Sequence, residues 1–186
     1  MGGESGRLVT AVIIGSTRQG RAGEAVGRWF TERARARADL DVEVLDLVEF
    51  AFPERYPERP TPAMLRFSRA VCRAEAFVVV TPEYNRSFPA SLKQAIDYAY
   101  DEWHTKPVGF VSYGSCSTGL HAVEALRGVF TELRTVTLRD VVGLDLLDEA
   151  GIGTPARERA ATAMLDELVW WGLALREARE RRPYVT

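Results

Sequence analysis

The chain has 186 residues, 46% of them apolar and 27% charged, which suits one domain able to bury a substantial core. Its 24 basic and 26 acidic residues leave a formal net charge of -2, without the basic excess of a general nucleic-acid binder. The two cysteines, Cys72 and Cys116, are too few for a disulfide scaffold or a four-cysteine zinc site, and no apolar run approaches the roughly 20 residues that span a bilayer.

Strand-like and helix-like stretches alternate along the whole chain. Residues 1–7 are Gly-rich and polar, with no apolar signal segment behind them, and read as a disordered tail. Leu8 to Ile14 is a β-branched run stopped by Gly15, and Ala22 to Arg37 places Val26, Trp29, Phe30 and Arg33 at helical spacing. Val42 to Leu47 predicts a second strand, followed by a Pro-rich loop from Phe50 to Pro60. Thr61-Pro62 is a helix start, an N-cap with Pro at the first helical position, leading through Met64, Phe67, Val71 and Ala74.

Phe77 to Thr81 is almost unbroken apolar, as a central parallel strand covered on both faces should be. Ala90 to Trp103 predicts a helix with Leu92, Ala95, Ile96, Ala99, Tyr100 and Trp103 in one stripe. Val108 to Tyr113 is a fourth strand, Leu120 to Leu133 a fourth helix, and Val136 to Leu138 a short fifth strand. Thr154-Pro155 repeats the start signal for a last long helix with Met164, Leu168, Trp171 and Leu175. Five βα units in series predict an α/β three-layer sandwich, a parallel sheet with helices on both faces. The size suits a five-stranded, flavodoxin-like sheet of order 2-1-3-4-5, with residues 1–186 as a single domain.

In such sheets a ligand sits beyond the carboxyl ends of the strands, where the strand order reverses. The loops after strands one, three and four should meet there. The first, Gly15 to Gly23, combines two hydroxyls, two guanidinium groups and a helix N-terminus, which reads as a phosphate trap rather than as a capped βα turn with merely solvated arginines. It lacks both the Gly-Lys-Ser/Thr ending of a Walker loop and the G-x-G-x-x-G spacing of a dinucleotide turn, so a mononucleotide phosphate remains. The second loop, Thr81 to Pro89, sets Tyr84, Phe88 and Asn85 between two prolines, a combination suited to a planar heterocycle or to a rigid capped turn. The third, Ser112 to Gly119, is small and polar, fit either for close backbone approach to a ligand edge or for a plain βα connection.

Together these loops resemble the NADPH-dependent FMN reductase family, which includes bacterial quinone, chromate and azo-dye reductases. The resemblance is carried by GSTRQGR after strand one, PEYN at Pro82 to Asn85, and LKQAID at Leu92 to Asp97 leading to Trp103. It implies an FMN-binding domain that takes hydride from NADPH, or NADH, and passes electrons to a flavin, quinone or similar small-molecule acceptor. It also implies a homodimer or homotetramer, with the helix after PEYN near the partner, while the charge balance and the want of a signal or spanning run give the cytoplasm as the expected compartment and no role with nucleic acid or membrane. Ser16, Arg18 and the segment Arg21, Ala22, Gly23 and Glu24 would hold the FMN phosphate. Pro82, Glu83, Tyr84 and Asn85 would border the isoalloxazine, and Ser112, Tyr113 and Gly114 would meet its pyrimidine edge. Backbone N–H groups of Gly114 and Ser115 would steady charge at that edge. The third loop departs from the family, which often has a glycine pair near each end, whereas this chain has Gly114-Ser115 and Thr118-Gly119.

The flavin carries the chemistry in this reading, so no side-chain acid or base is obligatory. Two alternatives stand beside it: an FMN electron carrier reduced by a partner protein, disfavoured by the absence of a strongly acidic surface charge, and a dedicated reductase of a biosynthetic pathway. Cys116 reads as a small filler in the third loop and Cys72 as core. His121 reads as a partly solvated surface residue, His104 as a residue at a helix end, and neither has ligand partners at metal spacing. One of Trp170 and Trp171 is expected in the core, and the Arg/Glu run from Arg176 to Arg182 as a solvated helix end.

Overall fold

The structure, a computed structural model, describes residues 6–115 and 117–184, so the expectations for residues 1–5 and for Cys116 lie outside the described residues. β1 (Leu8–Ile14), β3 (Ala76–Pro82) and β4 (Pro107–Gly114) are built almost wholly of apolar residues, and nearly every position in them is buried. A strand of that kind is stable only in the middle of a sheet covered on both faces. β2 (Leu40–Asp46) and β5 (Val136–Asp145) carry Asp, Glu and Arg and take the two edges, where charge also blunts unwanted strand pairing. The sheet is parallel throughout, in the order β2-β1-β3-β4-β5.

α1 (Gly23–Arg35) and α5 (Pro155–Arg181) cover one face of the sheet. Val26, Phe30, Met164 and Leu168 pack there on Val12, Val78 and Val111. α2 (Pro62–Arg73), α3 (Ala90–Ile96) and α4 (Leu120–Glu132) cover the other face, around Phe67, Trp103, Phe110 and Phe130. Trp103 is fully buried and touches Phe67, Phe77 and Phe130 ring to ring at 4.6–6.3 Å.

Four sequence expectations need correction. The stripe from Ala90 to Trp103 is not one helix: α3 stops at Ile96 and a 3₁₀ turn follows at Asp101–Trp103. The Trp103 indole N–H lies within hydrogen-bond reach of the carbonyls of Ile96 and Ala99 (3.1 and 3.0 Å), which holds the chain folded under as it leaves the helix. β5 runs on to Asp145, because an edge strand tolerates Arg139 and Asp140 with exposed side chains; a register irregularity opposite Val108/Phe110 lets it continue. Cys72 is exposed, not core, since Phe67, Ala70, Val71 and Ala74 form the inward stripe of α2 and its neighbour Val71 takes the inward position. The Arg176 to Arg182 run is only partly a solvated end. Arg176 makes a fork to Glu75, with both bonds at 2.5 Å, and also holds the carbonyls of Gly6 and Arg7. Trp171 packs against the core while Trp170 is exposed and meets it edge to face.

Candidate functional site

β1, β3 and β4 end side by side at the point where the strand order reverses, and the loops after them line a cleft of about 540 Å³. Ten of the residues expected at the site lie on its wall: Ser16, Arg18, Arg21, Ala22, Pro82, Glu83, Tyr84, Tyr113, Gly114 and Ser115. Gln19, Gly20, Leu146 and Leu147 join them. The two leucines follow β5, and nothing in the local sequence distinguishes them from ordinary loop residues. A second cleft of similar size, between β2 and α2, is edged by Arg66, Arg69, Arg73, Glu43 and Glu49; Arg73 pairs with Glu43, and Arg66 is turned onto the Phe50 ring and the Glu49 carbonyl.

The first loop leads into α1 with an uncapped start. Ala22, at the N-cap, offers no side-chain acceptor to the first-turn N–H groups. α2 and α5 are capped by Thr61 and Thr154, and α4 receives the Glu83 carboxylate on the N–H of His121 at 3.1 Å. The α1 terminus therefore keeps unmatched donors and the positive end of its dipole at the cleft. The two arginines of the loop diverge. Arg21 is committed to the fold: its guanidinium forks onto Asp46 at 2.6 and 2.5 Å, donates to the Ser16 carbonyl at 2.6 Å, and is raised in pKa chiefly by the Asp46 hydrogen bond. Arg18 is exposed on the cleft and has no ion-pair partner among the described residues.

Tyr113 sits differently from the sequence expectation. Its ring is packed under the sheet end, only 3% exposed, and its hydroxyl reaches the first turn of α1, where a Cβ on Gly23 would come within 2.5 Å of it. That contact is the reason position 23 has no side chain. The hydroxyl is buried with no hydrogen-bond partner, and burial pushes its pKa up. The Ser16 hydroxyl is its polar neighbour and offsets part of that rise, while also sharing a hydrogen bond with Tyr84 Oη at 3.1 Å. Among the described residues Tyr113 Oη thus has no partner in hydrogen-bond geometry, at the end of the cleft nearest the start of α1.

The second loop closes as a two-residue hairpin turn. Tyr84 and Ser87 exchange backbone bonds at 2.8 and 2.9 Å, with Asn85 and Arg86 both at positive φ, 49° and 64°. Asn85 is therefore spent on the turn and stands exposed at its tip, off the cleft wall, whereas Tyr84 presents its ring to the cleft. Glu83 turns its carboxylate to the third loop. It accepts from Ser117 Oγ at 2.6 Å and from the His121 N–H, and His121 Nδ1 lies 3.0 Å away. Despite its partial burial these bonds hold Glu83 below the usual carboxylate range. His121 is partly exposed, as expected, and is also half of a latch that ties Glu83 of the second loop to the start of α4.

The third loop is held from below. Ser112 is buried and donates to the Thr118 carbonyl at 2.8 Å, so it supports the loop without lining the cleft. Gly119 has φ +88°, and a Cβ there would strike Ser112 Cβ at 2.6 Å and the Tyr113 backbone N at 2.8 Å. The bulk of Thr118 falls outside the cleft, over Gly143 of β5, whose absent Cβ would lie 2.7 Å from Thr118 Oγ1. Of the two departures from the glycine pairs, only Ser115 faces the cleft. Gly23 and Glu24 complete the account: Gly23 is buried under Tyr113, and Glu24 points outward to Arg28 at 2.8 Å. Among the described residues no group of three or more His, Cys, Asp or Glu could hold a metal ion.

Comparison with known proteins bears on this cleft. The family model described as NADPH-dependent FMN reductase matches residues 9–146. An NAD(P)H-dependent FMN reductase of Nectria sp is 35% identical over 119 residues, 56% of this chain and 59% of that protein, so this chain spans under two thirds of that relative's length. A quinone reductase of Pseudomonas putida is 28% identical over 172 residues, 87% of this chain and 92% of that protein. Among solved structures, an oxidoreductase from Corynebacterium diphtheriae superposes with a TM-score of 0.75 at 19% identity, covering 91% of this chain and 99% of that one. At that identity the likeness speaks for the flavodoxin-like fold.

Proposed function

The chain belongs to the NADPH-dependent FMN reductase family, and on its site we propose that it is an NAD(P)H-dependent oxidoreductase that holds FMN and delivers electrons to a small-molecule acceptor. The observation that carries this reading is the polarity of the cleft. One end offers the uncapped start of α1, the Ser16 hydroxyl and Arg18, which has no ion-pair partner among the described residues, with the buried Tyr113 hydroxyl behind them. The other end is walled by Tyr84, Pro82 and the Gly114-Ser115 backbone. A phosphate monoester fits the first and a flat heteroaromatic ring fits the second, which is the shape of FMN.

FMN, when bound, supplies the hydride acceptance and the electron release. The protein's own residues orient and tune. Ser16, Arg18 and the first-turn N–H groups of α1 neutralise the phosphate charge. Arg21 positions the loop through Asp46 and the Ser16 carbonyl instead of spending its charge on the ligand. Gly114 and Ser115 bring backbone donors to the ring edge, where charge builds up on reduction. The Glu83–Ser117–His121 latch keeps the second and third loops at a set spacing. We place the acceptor on the open side of the cleft, the protein in the cytoplasm, and a second copy of the chain against the apolar groove formed by Tyr100, Val129 and Leu133 between α3 and α4. No helix among the described residues is long and apolar enough to cross a membrane.

The test is flavin selectivity and reduction together. Purified protein should take up FMN about tenfold or more tightly than riboflavin, and Arg18→Ala should erase most of that preference. The bound flavin should bleach on anaerobic addition of NADPH or NADH. Equal affinity for FMN and riboflavin would overturn the phosphate site, and bound FMN that stays oxidised with both nicotinamides would overturn the reductase reading in favour of a carrier.

A further inference from the structure

The loop from Leu146 to Gly153 sends Leu146 and Leu147 to a part of the cleft wall that is assigned neither to the phosphate nor to the ring. Its backbone is stapled in place. Leu146 N–H donates to the Gly114 carbonyl at 3.0 Å, Leu147 N–H to Asp145 Oδ1 at 2.9 Å, and Ala150 N–H to Asp148 Oδ1 at 2.9 Å. Arg157, from the first turn of α5, clamps Asp148 at 2.8 Å and the Gly151 carbonyl. Yet this fixed loop presents Leu146 at 46% and Leu147 at 73% exposure, both on the cleft wall. The same cleft is walled by Tyr84, the aromatic ring of the second loop. A hydrogen-bonded backbone around solvent-facing leucines leaves their apolar surface available to a ligand, with the side chains and not the loop left to be ordered.

We propose that Leu146 and Leu147 form an apolar lip that selects the electron acceptor, favouring one that carries a fused ring or alkyl extension over a small polar or single-ring oxidant. The proposal rests on the reductase reading for the cleft. Leucine offers no hydrogen bond, so the lip discriminates by apolar area alone, and Leu146 is tied to Gly114, the residue assigned to the ring edge. An acceptor on the open side of the cleft, over the ring whose edge Gly114 meets, then lies beside the leucines with whatever apolar extension it carries.

The experiment uses the FMN-loaded full chain and the double substitution Leu146→Ser/Leu147→Ser, with menadione, benzoquinone and ferricyanide as acceptors. Binding of menadione is also measured by equilibrium dialysis, without nicotinamide and without turnover. The expected result is a rise of about tenfold in both KM and Kd for menadione, with kcat, benzoquinone, ferricyanide and flavin uptake nearly unchanged. Leu147→Ser alone, at the more exposed position, serves if the double variant fails to fold, and it should give roughly a threefold rise. An unchanged menadione Kd would overturn the lip, as would an equal loss for all three acceptors. A change of sedimentation coefficient in the variant would overturn it too, by showing that the leucines cover a second copy. Failure of the reductase reading looks different: the wild-type flavin would not bleach with nicotinamide, while the dialysis result would still stand or fall on its own.

Discussion

Tyr113→Phe should make the flavin-free protein more stable. The hydroxyl is buried and unpartnered, and the ring is packed among apolar side chains that a phenylalanine would keep. An unsatisfied buried polar group costs about 1–3 kcal/mol, and exchange for an apolar group of the same shape removes that cost. For a chain of this length each kcal/mol moves Tm by roughly 2–4 °C, so a gain of about 2 °C or more is expected. The assay is thermal unfolding of flavin-free protein, repeated with saturating FMN. With FMN bound the gain should shrink or reverse, because a phosphate held at the start of α1 would offer the hydroxyl an anionic acceptor. A lower Tm for the flavin-free variant would refute the reasoning, since it would mean that the hydroxyl is satisfied in solution.

Gly119→Ala should be strongly destabilising, by about 2–4 kcal/mol in urea unfolding, because it adds positive-φ strain to a contact with backbone that cannot yield. Its FMN affinity should fall with it, since the third loop must shift to make room. Lys106 provides a pH test. It is buried with Nζ bonded to the carbonyls of Val71 and Cys72, and burial lowers its pKa to about 8. The unfolded chain, near 10.5, then holds more proton than the folded one between these values, so stability from this group should rise from pH 8 to pH 10.5. Equilibrium unfolding of wild type against Lys106→Met measures it, and the variant should lack the rise.

The sheet and its ligand-binding edge were legible in the sequence because both rest on local chemistry. Unbroken apolar runs at Leu8 to Ile14 and Phe77 to Thr81 require central parallel strands, and such strands put their following loops together at one edge. Gly15 to Gly23 carries, by composition alone, the hydroxyls, guanidinium groups and helix start on which the proposed phosphate site rests. What each side chain does within that edge was decided only in three dimensions. Arg18 and Arg21 look equivalent along the chain, yet Asp46, 25 residues away on an edge strand, claims Arg21 and leaves Arg18 free. Tyr113 reads as a ring-edge residue until packing of its ring sets the hydroxyl against Gly23 at the start of α1. Asn85 and Glu83, adjacent in one motif, are drawn to a turn and to a latch. Leu146 and Leu147 gave no signal at all, because apolar residues in a loop acquire meaning only from the wall they complete. Local patterns determine which elements form and which edge they share. Which polar group is left without a partner at that edge depends on residues distant in sequence, and that is settled by packing.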